Sequence, residues 1–197
     1  MRSKPSANEL SRIGQNYFYG DSVKKNYSKA FPHLLEASNR GVIHAQNLVG
    51  YCYDLGLGVK KDKSQAVIWY RRAAKYGHKE ALFNLALCYE NGCGVKANTR
   101  KAVSFYEKAA ALGDDAAQCN LGVRYLEGDG IKQNLAKGVL WTRKAAKQKD
   151  SKAQYNLGMA YLDGDGVRAN KRYARLWLGK AAKQGHKRAM RVLRRVK

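Results

Sequence analysis

The chain repeats itself every 36 residues, five times in succession, without an insertion or deletion. With Glu9, Ala45, Ala81, Ala117 and Ala153 as first residues, Tyr17, Tyr53, Tyr89, Tyr125 and Tyr161 occupy the ninth place of each unit. Gly20, Gly56, Gly92, Gly128 and Gly164 occupy the twelfth, and Ala37, Ala73, Ala109, Ala145 and Ala181 the twenty-ninth. A fixed period of about 20 to 50 residues marks a solenoid, because a unit this small cannot bury an apolar face alone and must stack on its neighbours. Function is then expected on an extended surface and not in one deep pocket.

The fourth unit shows how each is built. Ala117, Leu121 and Tyr125 recur at i, i+4 and i+8, the stripe of a short amphipathic helix. Gly122 offers a smooth spot for a neighbouring helix, and Gly128 and Gly130 break the chain into a turn, Gly128 with positive φ at the C-terminal end of the helix. Asn134 suits the cap of a second helix, with Gly138, Trp141, Ala145 and Ala146 on its inner face. The twenty-fifth places, Trp69, Phe105, Trp141 and Trp177, are expected to be the large plugs of the core.

This reading gives an all-α solenoid of five helix-turn-helix repeats, 9–44, 45–80, 81–116, 117–152 and 153–188, after an N-terminal extension, 1–8. The terminal pieces depart from the pattern, as ends of a stack do. His33 replaces the tryptophan, Ser22 replaces the second turn glycine, and Pro32 should delay or kink its helix. Residues 189–197 restart the frame with Ala189 and Leu193 and are expected to form a capping helix, apolar inward and cationic outward.

The charge is uneven. Of a formal net +23, the five units carry +2, +4, 0, +5 and +6, and the last 81 residues hold +15. Such a chain attracts polyanions or acidic proteins. Cys52, Cys88, Cys93 and Cys119 have neither disulfide nor zinc spacing, so free thiols and a reducing, cytoplasmic setting are expected. No secretory signal and no membrane-spanning stretch is read, and neither a metal site nor a cofactor is expected. His78 and His186 share Gly-His-Lys at equivalent places and read as loop residues. The acidic pairs Glu127/Asp129 and Asp163/Asp165 read as turn chemistry and not as general acid and base.

The run Ala153-Gln-Tyr-Asn-Leu-Gly-Met-Ala-Tyr-Leu-Asp-Gly-Asp-Gly-Val167, with Trp177 and Lys180-Ala-Ala182 after it, closely resembles the Sel-one-like repeat (SLR), a relative of the tetratricopeptide repeat. The resemblance implies a right-handed α-solenoid whose first helices line a groove that holds partner proteins, and a non-enzymatic adaptor as the activity. Some secreted relatives carry a disulfide between the eighth and sixteenth places, and a few are linked to β-lactams. Here Cys52 and Cys88 stand opposite Lys60 and Lys96, so neither property is carried over.

By the same analogy, the groove would be lined by Asn47, Tyr51, Phe83, Asn84 and Leu87, then Asn120, Val123, Lys152, Tyr155, Asn156, Met159 and Arg188. Asn84, Asn120 and Asn156 form a ladder that could pair with a peptide backbone, with the apolar and aromatic members as anchors. A second surface gathers Arg143, Lys144, Lys147, Arg172, Arg175, Lys180, Lys183, Arg191, Arg194 and Arg195 on the outer faces of second helices and the closing helix. The expected partner of a monomeric chain is an acidic or anionic-surfaced protein in the groove. The alternative is a nucleic acid or ribonucleoprotein on the basic C-terminal half, without preference for one sequence.

Overall fold

In a computed structural model, which describes residues 4–196, the chain is all-helical, and no strand occurs among the described residues. The helices are α1 (Ala7–Tyr19), α2 (Tyr27–Asn39), α3 (Ile43–Leu55), α4 (Lys63–Lys75), α5 (Lys79–Asn91), α6 (Thr99–Ala111), α7 (Asp115–Glu127), α8 (Leu135–Lys147), α9 (Ser151–Asp163), α10 (Lys171–Lys183) and α11 (Lys187–Leu193). They form two compact units, Met1–Asn98 and Thr99–Lys197. Within each unit every helix packs on its neighbours in sequence, the arrangement of an α-solenoid.

Local signals explain the regular length. The odd-numbered helices α1 to α9 end at Gly20, Gly56, Gly92, Gly128 and Gly164, all in the left-handed region, as the turn pattern predicts. Second helices start at side-chain caps: Asn26, Asp62, Asn134 and Asn170 accept from the backbone N–H three residues on at 2.9 to 3.0 Å. The same residue ties the turn shut, since the N–H of Asn134 donates to the carbonyl of Tyr125 at 2.8 Å, and Asn170 to Tyr161 at 2.7 Å. Pro32 does not delay its helix. α2 starts at Tyr27 behind the Asn26 cap and is as long as its counterparts, 13 residues, so the cap sets its start despite the lost N–H.

The second turn glycine does more than complete a turn. A Cβ added to Gly58 would lie 2.2 Å from the carbonyl oxygen of Tyr27, one added to Gly94 2.1 Å from that of Lys63, and one added to Gly166 2.3 Å from that of Leu135. Each turn therefore presses its backbone on the first residues of the second helix of the preceding repeat, and only glycine leaves room. Ser22 holds the corresponding place in the first repeat at φ 61 and is exposed.

The core departs from expectation by one residue. On the second helices the twenty-sixth place is buried in every repeat, with Leu34, Tyr70, Tyr106, Thr142 and Leu178 each at most 1 % exposed. Of the twenty-fifth-place aromatics only Trp69 is buried. Phe105, Trp141 and Trp177 are half-buried, and their outer faces are covered by the cation three residues on: Lys144 Nζ lies 4.1 Å from the Trp141 ring and Lys180 Nζ 4.3 Å from Trp177. In four of the five repeats the twenty-sixth place points at a sixth-place glycine of the paired helix; the third repeat has Ala86 there. A Cβ on Gly14 would meet Leu34 at 2.7 Å, on Gly50 Tyr70 at 2.7 Å, and on Gly158 Leu178 at 2.7 Å.

In the fourth unit this plug is Thr142, whose buried hydroxyl oxygen has no hydrogen-bond partner among the described residues. An orphaned buried hydroxyl costs about 1 to 3 kcal/mol. Thr142→Val keeps the shape and removes the hydroxyl, so it is expected to raise stability by about 1 kcal/mol. A denaturant titration checks this by a higher midpoint at unchanged m-value.

Buried glutamines bind consecutive repeats in a way that composition does not reveal. Gln118 Nε2 donates to the carbonyl of Ala110 at 3.1 Å and Gln154 Nε2 to that of Ala146 at 3.2 Å, adding a second donor to carbonyls that also accept the backbone N–H of Gly113 and Lys149. Gln148 and Gln184 in turn donate to Gln118 and Gln154, both at 2.9 Å. At the C-terminal end, Ala189 of α11 is buried against Leu178 and Ala181, Val192 and Leu193 pack on the same cluster, and Arg191, Arg194 and Arg195 face outward.

Candidate functional site

In the second unit, the exposed faces of α7 and α9 and the start of α11 converge on a cleft of about 410 Å3. Asn120, Val123, Lys152, Tyr155, Asn156 and Arg188 line it. Met159 lies in an adjoining cleft of about 190 Å3 that shares Val123 and Asn156. All the groove residues expected in this half therefore meet on one face. Helical spacing is the cause: Lys152, Tyr155, Asn156 and Met159 recur at three and four residues along α9, which puts them on one stripe.

Cys119, His186 and Lys187 complete the larger cleft. The His186 ring stacks on Tyr155 at 4.7 Å between centroids and 19° between planes. Its Nδ1 accepts the Ala189 N–H at 3.2 Å, which caps α11 and leaves Nε2 to carry the proton. The capped histidine thus fixes Tyr155 and presents Lys187 and Arg188 at the rim. Lys152, Lys187 and Arg188 are exposed cations of this cleft, and the carboxylates of Asp150 and Asp115 lie near Cys119 without lining it. Glu127 and Asp165 line the smaller one.

The compact unit Met1–Asn98 presents a different face. Tyr51 is 39 % exposed and meets Phe18 edge-on at 6.1 Å, with Phe83 and Leu87 half-buried on α5. Asn47 is not displayed as the groove reading expects. It is buried, and its side-chain oxygen accepts from Asn84 Nδ2 at 3.3 Å, so two consecutive asparagines satisfy one another. At the start of α3 and α5, His44 Nδ1 and His78 Nε2 are 3.2 Å apart. Burial lowers the pKa of His78, and the nearby Glu80 carboxylate works against that.

The basic surface divides into tethered and free members. Arg143 donates to the Tyr161 hydroxyl at 3.1 Å, as Arg71 does to Tyr89 at 2.7 Å, so this arginine ties one repeat to the next. Lys144 and Lys180 cover tryptophans. Lys147 and Lys183 border a cleft of about 430 Å3 beside Trp177, and Arg172 and Arg175 border another of about 580 Å3.

Three of the cysteines are buried. Burial pushes the thiols of Cys52 and Cys119 up to about 12 and that of Cys88 up to about 11, where they stay protonated at neutral pH. All four cysteines are free. Among the described residues no group of three or more histidine, cysteine or acidic side chains is placed to hold a metal, and no helix is long and apolar enough to cross a membrane.

A chain of stacked two-helix units with these turns is a repeat solenoid, and its sequence assigns the kind of repeat. The Sel1 repeat matches residues 6–42, 43–78, 79–114, 115–150 and 151–186, and the chain belongs to this family. No curated protein is similar at a significant level. Among solved structures, a protective antigen of uropathogenic Escherichia coli with an SLR fold is 31 % identical over 95 % of this chain, at a TM-score of 0.89, and the chain spans 40 % of its length. A Sel1 repeat protein from Oxalobacter formigenes is 32 % identical over 94 % of this chain and 76 % of its own, at 0.87. An immunity protein of Pseudomonas aeruginosa shares the fold at 22 % identity and 0.59, over 96 % of this chain and 70 % of its own. Sel1-repeat proteins are in general protein-interaction scaffolds.

Proposed function

We propose that this protein is a monomeric, non-enzymatic, cytoplasmic adaptor that holds an acidic segment of a protein partner against its first helices. The observation that carries this reading is the cleft beside Tyr155, which Lys152, Lys187 and Arg188 line with no carboxylate among the described lining residues, and where Asn120 and Asn156 offer donors and acceptors. Charged groups at such a rim steer an acidic partner in and fix its register, while the stacked Tyr155 and half-buried Met159 supply apolar anchors.

The test is capture of the native partner from nuclease-treated extract. Lys152→Glu with Arg188→Glu is expected to weaken capture at least about tenfold at unchanged melting temperature, since both side chains are exposed. Capture that survives this change and is lost on Lys180→Glu with Lys183→Glu would move the site to the second helices.

A further inference from the structure

One position on the outer surface differs between repeats. At the twenty-first place of the first and fourth repeats a lysine covers the ninth-place tyrosine, Lys29 Nζ 5.7 Å from the Tyr17 ring and Lys137 Nζ 5.6 Å from Tyr125, while the second repeat has Gln65 there. In the fifth unit that place is Tyr173, whose ring stacks on Tyr161 at 5.2 Å and 27°. A stacked pair has a second, outer face, and Tyr173 remains 49 % exposed.

Tyr173 lines two clefts that also hold arginines. One, of about 520 Å3, is lined by Tyr161, Tyr173, Arg143 and Arg168, among others. The second, of about 580 Å3, is lined by Tyr173, Arg172, Arg175, Leu176 and Asn170. No carboxylate lines either cleft, and Arg168, Arg172 and Arg175 make no ion pair among the described residues. Like charges gathered this way repel one another, and no contact within the repeat offsets them. An exposed aromatic face set beside unpaired arginines matches a ligand that alternates flat rings with anions.

We propose that this outer face of the fifth repeat binds single-stranded nucleic acid, independently of the cleft beside Tyr155. A base stacks on Tyr173, and the phosphates on either side of it are held by Arg168 and by Arg172 with Arg175. Stacking tolerates any base because each has a π-face, so the site shows little sequence preference. An acidic peptide would satisfy the arginines but would not require the ring.

The experiment is a fluorescence anisotropy titration of the full chain with a labelled twelve-residue oligouridylate, repeated over a series of salt concentrations. Tyr173→Ala is expected to weaken binding about tenfold with an unchanged salt slope, and Tyr173→Phe to restore it. Arg168→Glu with Arg172→Glu is expected to flatten the salt slope, and Lys152→Glu to leave the tenfold tyrosine effect in place. Circular dichroism melts verify that the variants are folded. Binding indifferent to Tyr173→Ala would overturn the proposal and leave only a charged surface. So would polyglutamate or inorganic polyphosphate binding with the same dependence on Tyr173, the former assigning the face to acidic protein segments.

Discussion

Gly94→Ala is expected to cost about 3 to 5 kcal/mol, a large share of the stability of any domain. Two penalties combine. Gly94 sits at φ +70, where a side chain is strained by about 1 to 2 kcal/mol, and its new Cβ would stand 2.1 Å from the carbonyl oxygen of Lys63. That atom is backbone at the start of α4 and cannot swing aside, so the two repeats must separate. Gly113→Ala isolates the first penalty, because Gly113 has φ +83 with nothing within 4 Å of its added Cβ, and about 1 to 2 kcal/mol is expected there. Chemical denaturation of both variants decides the matter. Equal losses would mean that strain alone acts and that the turn does not bear on the preceding repeat.

Tyr70→Ala is expected to destabilise by about 3 to 5 kcal/mol, because it empties a site 1 % exposed and leaves Gly50, with no side chain of its own, facing the void. Trp141→Ala should cost less, about 1 to 2 kcal/mol, since that ring is half-buried and shares its outer face with Lys144. The order of the two losses in the same titration is the measurement. A larger loss at Trp141 would return the role of core plug to the twenty-fifth place.

The tryptophan row drew attention because its chemistry repeats, whereas the plug row does not. Leu34, Tyr70, Tyr106, Thr142 and Leu178 have little in common as side chains, yet all are buried. Packing selects volume and direction, and the partner across the interface adjusts, so the most buried position can vary in chemistry from unit to unit. The tryptophans recur for a different reason: each pairs its ring with the cation three residues on.

The cleft was partly legible for a similar reason. Helical spacing alone places Lys152, Tyr155, Asn156 and Met159 on one stripe of α9. His186 escaped it because it shares Gly-His-Lys with His78, and equivalent letters suggest equivalent roles. Their surroundings differ: His78 faces His44 and Glu80, whereas His186 caps α11 and stacks on Tyr155. Asn47 errs in the opposite direction, read as displayed yet consumed by Asn84.

The sequence by itself determined what is local and periodic: the repeat length, the helix ends at glycine and asparagine, the terminal departures and the uneven charge. Those features depend on φ preferences, cap hydrogen bonds and composition, which act within a few residues of chain. Only the tertiary structure decided which side chain each glycine receives, why the second turn glycine has no substitute, and which cations stay unpaired. Those outcomes depend on distances between segments far apart in the chain: the two helices of one repeat for the plug that meets its glycine, and stacked repeats for the turn that presses on the preceding one.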